Sequence, residues 1–211
     1  MLRPILSAAT RVPAMAGDCE HIIMLQRSPT YVMSRPDKDV IANTLRKLLG
    51  DKIAYGITRF KNIQLQRRVY EKTRTDPQKV RHYLLGQVRK HLGPDYDVEK
   101  HFTPRYNPWD QRLCLIPNAD LFEAIKAGKA SVVTDHIDRI SKKGIRLVSG
   151  EELEAEIIIV ATGLNLKVLG GVHFSVDGAL VQFPDTWTYK GMMYSDVPNL
   201  VQTFGYINAS W

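Results

Sequence analysis

The stretch His21-Ile22-Ile23-Met24-Leu25-Gln26-Arg27-Ser28 decides the fold. Its apolar residues run on without alternation and stop at Gln26-Arg27, as in a short strand covered on both faces. Just before it, Ala8 to Ala16 is rich in small residues and compatible with a helix. Helices that feed doubly covered strands belong to parallel sheets, because parallel neighbours need a crossover between them. The same texture returns in Glu156-Ile157-Ile158-Ile159-Val160-Ala161-Thr162-Gly163. That run predicts a second buried strand, with a glycine at its carboxyl end, where open α/β sheets bind ligands. The expected fold class is α/β.

Between these landmarks the periodicity changes. Asp37 is placed to cap a helix whose stripe is Val40, Ile41, Thr44, Leu45, Leu48 and Leu49, closed by Gly50. Ile53, Ile57, Phe60 and Ile63 continue at helical spacing, and Asp76-Pro77 opens a further helix that turns Val80, Leu84 and Val88 inward before Gly93-Pro94. Residues 37 to 93 thus read as a helical module with basic outer faces. Asn118 is read as the cap of a short helix through Leu121, Phe122 and Ile125, ended by Gly128. Ser131 to Thr134 is read as a strand, and Ile137–Ile140 with Ile145–Val148 as a hairpin around Ser141 to Gly144. Asp177-Gly178 marks another hairpin, and Asn199 to Phe204 a last strand.

With 44% hydrophobic and 24% charged residues in 211, the chain can bury a core and is not a disordered tail. No run is apolar for long enough to span a bilayer. Cys19 and Cys114 lack metal or redox spacing, so a reducing, cytoplasmic setting is expected. Met1 to Gly17 holds two arginines and no acid, yet its prolines and Arg11 interrupt any leader-like run; it reads as the ragged start of a domain. The net charge of +7 is concentrated: Arg35 to Lys100 carries 16 Lys and Arg against 8 Asp and Glu. Such a block fits nucleic acid, an anionic membrane, a phosphorylated cofactor or a plain solvated face.

Three places carry chemistry. Arg27 closes its strand where a dinucleotide fold meets the adenosine ribose; an arginine there pairs with a 2′-phosphate, and Ser28 adds a hydroxyl. An exposed strand-end arginine without a ligand is the plainer reading. Arg112 lies in the Pro- and aromatic-rich loop "NPWDQRLC", where a held guanidinium can stabilise a forming oxyanion or serve a salt bridge with Asp110 or Glu123. Ala161-Thr162-Gly163 permits close backbone approach to a cofactor, or a tight turn.

Taken together, "MLQRSPTY", "YDVEKHFTPRYNPWDQRLCLIPNADLF", "EIIIVATGLN", "YKGMM" and "GYINASW" resemble the Baeyer–Villiger-type FAD/NADPH monooxygenases of the flavin-containing monooxygenase superfamily. The likeness is to the branch that contains the ethionamide-activating monooxygenase, and it runs from about Ala9 to Trp211. It implies a partial Rossmann-like NADPH-binding domain over residues 1–162, with a helical insertion at about 37–93, and a returning piece of the FAD-binding domain over 163–211. It further implies that NADPH and O2 are used to oxygenate a ketone or a sulfur or nitrogen compound through a C4a-peroxyflavin. By the same resemblance Arg112 is the catalytic arginine facing the flavin. Arg27 and Ser28 take the NADPH 2′-phosphate, with Gln111 standing where many relatives have a second, lysine contact. Ala161, Thr162 and Gly163 mark the return to the FAD domain, and Asn208 lies in a loop near the cofactors. Nucleic acid is not an expected partner.

The pattern also departs from the family. The glycine turn before the first helix is replaced by Arg3-Pro4-Ile5-Leu6-Ser7-Ala8, where side chains stand in place of the amides that meet a pyrophosphate. The family's FAD fingerprint has no counterpart in the chain. The expectation is therefore the interior of a longer enzyme, inactive by itself; the alternatives are a non-catalytic remnant and a basic nucleic-acid module.

Overall fold

A computed structural model describes residues 5–111, 113–162 and 168–203. They divide into two compact units at the Thr162–Gly163 boundary. The first begins with helix α1 (Ile5–Met15), which turns Ala9 and Val12 into the core and leads to strand β1 (Ile22–Gln26). Strand β2 (Tyr31–Arg35) follows after a short turn. Helix α2 (Val40–Thr75), helix α3 (Pro77–Leu92) and the short α4 (Val98–Phe102) come next. Strand β3 (Leu113–Pro117), helix α5 (Asp120–Lys126) and strand β4 (Ala130–Thr134) complete the α/β part.

The pairing is parallel in both places where it matters. β1 runs beside β4 with Met24 opposite Val132, and β2 runs beside β3 with Tyr31 opposite Leu113. Helices α1, α3 and α5 pack against these strands. The core joins Val12, Met24, Val32, Leu84, Val88, Phe102, Ile116, Leu121, Phe122 and Val132. Phe102 and Phe122 meet edge to face at 5.7 Å, with His91 stacked on Phe122 at 5.3 Å. An antiparallel meander ends the unit: β5 (Ile137–Ile140), β6 (Gly144–Leu147) and β7 (Glu152–Glu154). Only glycine fits at Gly144, because a Cβ there would collide with the carbonyl oxygen of Leu153.

Several expectations hold. The helix before β1, the β1 and β4 strands, the Asp76–Gly93 helix with Asp76 accepting from the Lys79 amide, and the hairpin at 141–144 are all found. Gly50 does break its helix, with φ of 74°. Others are corrected. The cap of α2 is Asp39, whose side chain accepts from the Ala42 amide, and α5 starts at Ala119 in the left-handed region. The Asn118 side chain, read as a cap, is engaged elsewhere: its oxygen accepts from the Asp37 backbone amide at 3.2 Å.

The largest correction concerns 156–160. It forms no strand, and Ile157 and Val160 are 79% and 72% exposed. A run without alternation needs a neighbour strand and a cover on each face, and no described residue supplies a ladder there. The stripe of Val40, Ile41, Leu48 and Leu49 is likewise exposed, as is that of Ile53, Ile57, Phe60 and Ile63.

The second unit is described by itself. Its first hairpin, β8 (Ser175–Val176) and β9 (Ala179–Leu180), turns on Asp177 and Gly178, both at positive φ as a type I′ turn requires. A second pairs β10 (Thr188–Tyr189) with β11 (Met193–Tyr194). Phe183 packs edge to face with both Phe174 and Tyr194. The expected strand at 199–204 is absent among its described residues, because Asn199 sits at φ 60° and turns the chain. Phe204 itself lies outside the described residues.

Candidate functional site

The site grows from the carboxyl end of β1. Gln26 is buried there, and its amide donates to the His101 carbonyl at 2.7 Å and to Thr134 Oγ1 at 2.9 Å. Thr134 Oγ1 also meets His101 Nδ1 at 2.8 Å. Burial, then Lys100, pushes the His101 pKa down against a weaker pull from Asp97, so the neutral ring is favoured. This polar knot fixes the strand end, and the next residue, Arg27, emerges exposed. No ion pair engages Arg27 among the described residues. The acid at the end of the adjacent strand, Asp135, is turned onto the Ser149 and His136 amides, which hold its pKa below the usual carboxylate range. Ser28 is half-buried.

The turn from Arg27 to Thr30 then meets the loop that carries Gln111. The register of β2 on β3 sets Tyr31 opposite Leu113. Thr30 Oγ1 and the Tyr106 hydroxyl lie 2.7 Å apart, and Tyr31 donates to the Tyr106 carbonyl at 2.7 Å. Arg81 donates to the Tyr31 hydroxyl at 3.1 Å. Burial raises the Tyr31 pKa, and Arg81 partly offsets it.

The loop is stiff for reasons that can be named. Arg74 pairs with Asp110 at 3.0 Å and donates to the Pro108 carbonyl at 3.2 Å. Trp109 packs edge to face on Tyr70, and Gln78 donates to Asn107 at 3.3 Å. Helices α2 and α3 and strand β2 therefore clamp the segment ending at Gln111, whose side chain is exposed. The two carboxylates weighed as partners for Arg112 are each in another ion pair, Asp110 with Arg74 and Glu123 with Lys126.

Arg27 and Ser28 thus follow a strand end held by Gln26, and the turn after them is tied through Thr30 to Tyr106, in the loop that leads to Gln111. Ala161 is half-buried and Thr162 exposed, and no described hydrogen bond joins either to Arg27 or Gln111. Arg112, Gly163 and Asn208 lie outside the described residues. The anchors Arg74, Arg81, Tyr106 and Gln26 were not singled out from sequence. Gln26 had a visible mark, a neutral amide closing an apolar strand; the arginines had none beyond their place in a basic block.

No protein-family model matches the chain. Among curated proteins, it is 52% identical over 206 residues to the FAD-containing monooxygenase EthA of Mycobacterium tuberculosis, covering 97% of this chain and 42% of that protein. It is 48% identical over 209 residues to the putative FAD-containing monooxygenase MymA of the same species, covering 97% and 42%. To the probable FAD-binding monooxygenase AlmA of Acinetobacter baylyi it is 47% identical, covering 97% and 41%. The chain thus spans about two fifths of the length of these relatives, and the likeness read in the sequence is borne out along nearly all of the chain.

Proposed function

We propose that this chain, a homologue of the FAD-containing monooxygenases over 97% of its length, corresponds to the central part of a longer flavin-dependent monooxygenase and supplies its NADPH-binding elements. The observation that carries the reading is an exposed Arg27, without an ion-pair partner among the described residues, directly after the carboxyl end of β1 that Gln26 holds in place. A guanidinium in that position offers paired charge-assisted hydrogen bonds to a phosphate. The residues present therefore fit the 2′-phosphate of NADPH, with Ser28 as a hydroxyl donor and the neutral Gln111 giving a softer contact than a lysine.

A bound flavin would supply the oxygen chemistry, with NADPH as reductant, one oxygen atom of O2 going to a ketone or a sulfur or nitrogen centre and the other to water. The chain's own residues bind and orient. Gln26 holds the strand end from which Arg27 projects, and the Arg74–Asp110 pair holds the loop leading to Arg112, the residue assigned by family likeness to face the flavin. In this reading residues 1–162 form a Rossmann-like part with a helical insertion at about 37–93, and 163–211 return to the FAD domain. Ala161 to Gly163 mark the passage, and Asn208 stands near the cofactors. Kinship to named monooxygenases leaves the remnant and nucleic-acid alternatives without support.

The test is calorimetric titration of the chain with NADP+ and NAD+. NADP+ should bind more tightly, and Arg27→Glu should cost that preference about tenfold or more, as loss of a charge-assisted pair implies. Equal affinity for both nucleotides, unchanged by the substitution, would remove the assignment.

A further inference from the structure

Helix α2 is not one rod. Lys61 Nζ lies 2.6 Å from Asp39 Oδ2, although 22 residues of straight helix would separate them by roughly 33 Å. The break at Gly50, with φ 74° and ψ 166°, therefore folds residues 40–49 back along 51–61. Ala54, 1% exposed, sits on the inner side of that hairpin. About 120° around the helix axis, on the outer side, Ile53, Ile57, Phe60 and Ile63 are 58%, 44%, 67% and 47% exposed. At 100° per residue these four fall in an arc of about 120°. Val40 and Leu48 on the other arm are exposed as well.

The charges are arranged around that stripe. Helix α2 carries nine Lys and Arg against two Asp and Glu. Lys52 and Arg59 lie about 80–100° to one side of the stripe and Arg68 about 80° to the other. None of the three has a carboxylate partner among the described residues. An apolar face flanked on both sides by unpaired cations matches an interface at which hydrocarbon and anionic headgroups lie a few ångströms apart. A duplex would leave the bulky apolar stripe facing water or phosphate.

We propose that the α2 hairpin docks on an anionic lipid surface, burying Ile53, Ile57 and Phe60 in the headgroup boundary while Lys52, Arg59 and Arg68 reach lipid phosphates. The inference stands independently of the nucleotide assignment, since it involves none of those residues. It describes a peripheral contact; no described helix is long and apolar enough to cross a membrane.

Co-sedimentation of the full chain with vesicles tests it. Binding is expected to mixed phosphatidylglycerol–phosphatidylcholine vesicles, to fall with added salt, and to be weak on phosphatidylcholine alone. Phe60→Glu should weaken it about tenfold or more, the fold-change implied by withdrawing one aromatic side chain from an apolar phase. Its circular dichroism should be unchanged, because the side chain is exposed. Phe60→Trp gives a second readout, in which tryptophan emission should shift to the blue on anionic vesicles relative to the unsubstituted chain. Equal binding to both vesicle types, indifference to Phe60→Glu, or no emission shift would overturn the proposal. So would a Phe60-dependent dimer with no vesicle binding, which would give the stripe to a second copy. Salt-sensitive duplex DNA binding that ignores Phe60→Glu, without vesicle binding, would give the basic block to nucleic acid.

Discussion

Helices α2 and α3 are adjacent in sequence, similarly basic and similarly striped, yet they have opposite fates. In α3, Leu84, Leu85 and Val88 are buried against the strands. In α2 the comparable positions face solvent, and only Ala54 and Thr73 are buried. Amphipathic spacing specifies a face but not what covers it. The difference lies in what the chain brings near: β2 packs on α3, whereas α2 meets α3, its own second arm and the loop at Arg74 but no strand closely.

That contrast can be broken by paired substitutions. Phe122→Ala, in the core, should destabilise the chain by about 3–5 kcal/mol in urea unfolding, while Phe60→Ala should stay within about 0.5 kcal/mol. Comparable losses at both sites would mean that the stripe on α2 is covered after all. Next in size, Tyr31→Phe removes a buried hydroxyl that donates to Tyr106 and accepts from Arg81, and should cost about 1–3 kcal/mol. Because the clamp is local, nucleotide binding should weaken along with stability. Asp76→Ala removes the cap of α3 and should cost about 1 kcal/mol.

The last effect is a slope with pH. His101 has a folded pKa below its ordinary 6.5, so between the two values the unfolded chain binds more protons. Stability should therefore be full above about pH 6.5 and decline as pH falls toward the folded value. His101→Gln should flatten that decline, which pH-dependent urea midpoints would reveal.

What was legible in the sequence was local. The helix before β1, the Asp76–Gly93 helix and the Asp177-Gly178 turn are fixed by residues within a few positions of one another. Strands β2 and β3 were not legible, because five-residue segments such as Tyr31–Arg35 acquire meaning only from a partner some 82 positions away. Conversely, 156–160 reads as a doubly covered strand and has no ladder among the described residues, since apolar texture reports a need for cover rather than its presence. At the site, proline and aromatics announced a stiff loop, but not that Arg74 and Arg81 would hold it. The Asp76 cap holds; Asn118 fails as a cap because its side-chain oxygen accepts from the distant Asp37 amide, and Asp37 because the helix begins two residues later, capped by Asp39.

Asp39 shows how closely two duties can be tied. One carboxyl oxygen closes the start of α2 on the Ala42 amide, and the other clasps Lys61 across the hairpin. Its pKa is held down by Lys61 and then by Ala42, so a single proton loosens both the helix origin and the clasp as acidity rises. Asparagine would separate the two, keeping an oxygen for the amide while surrendering the charge that draws the far arm home.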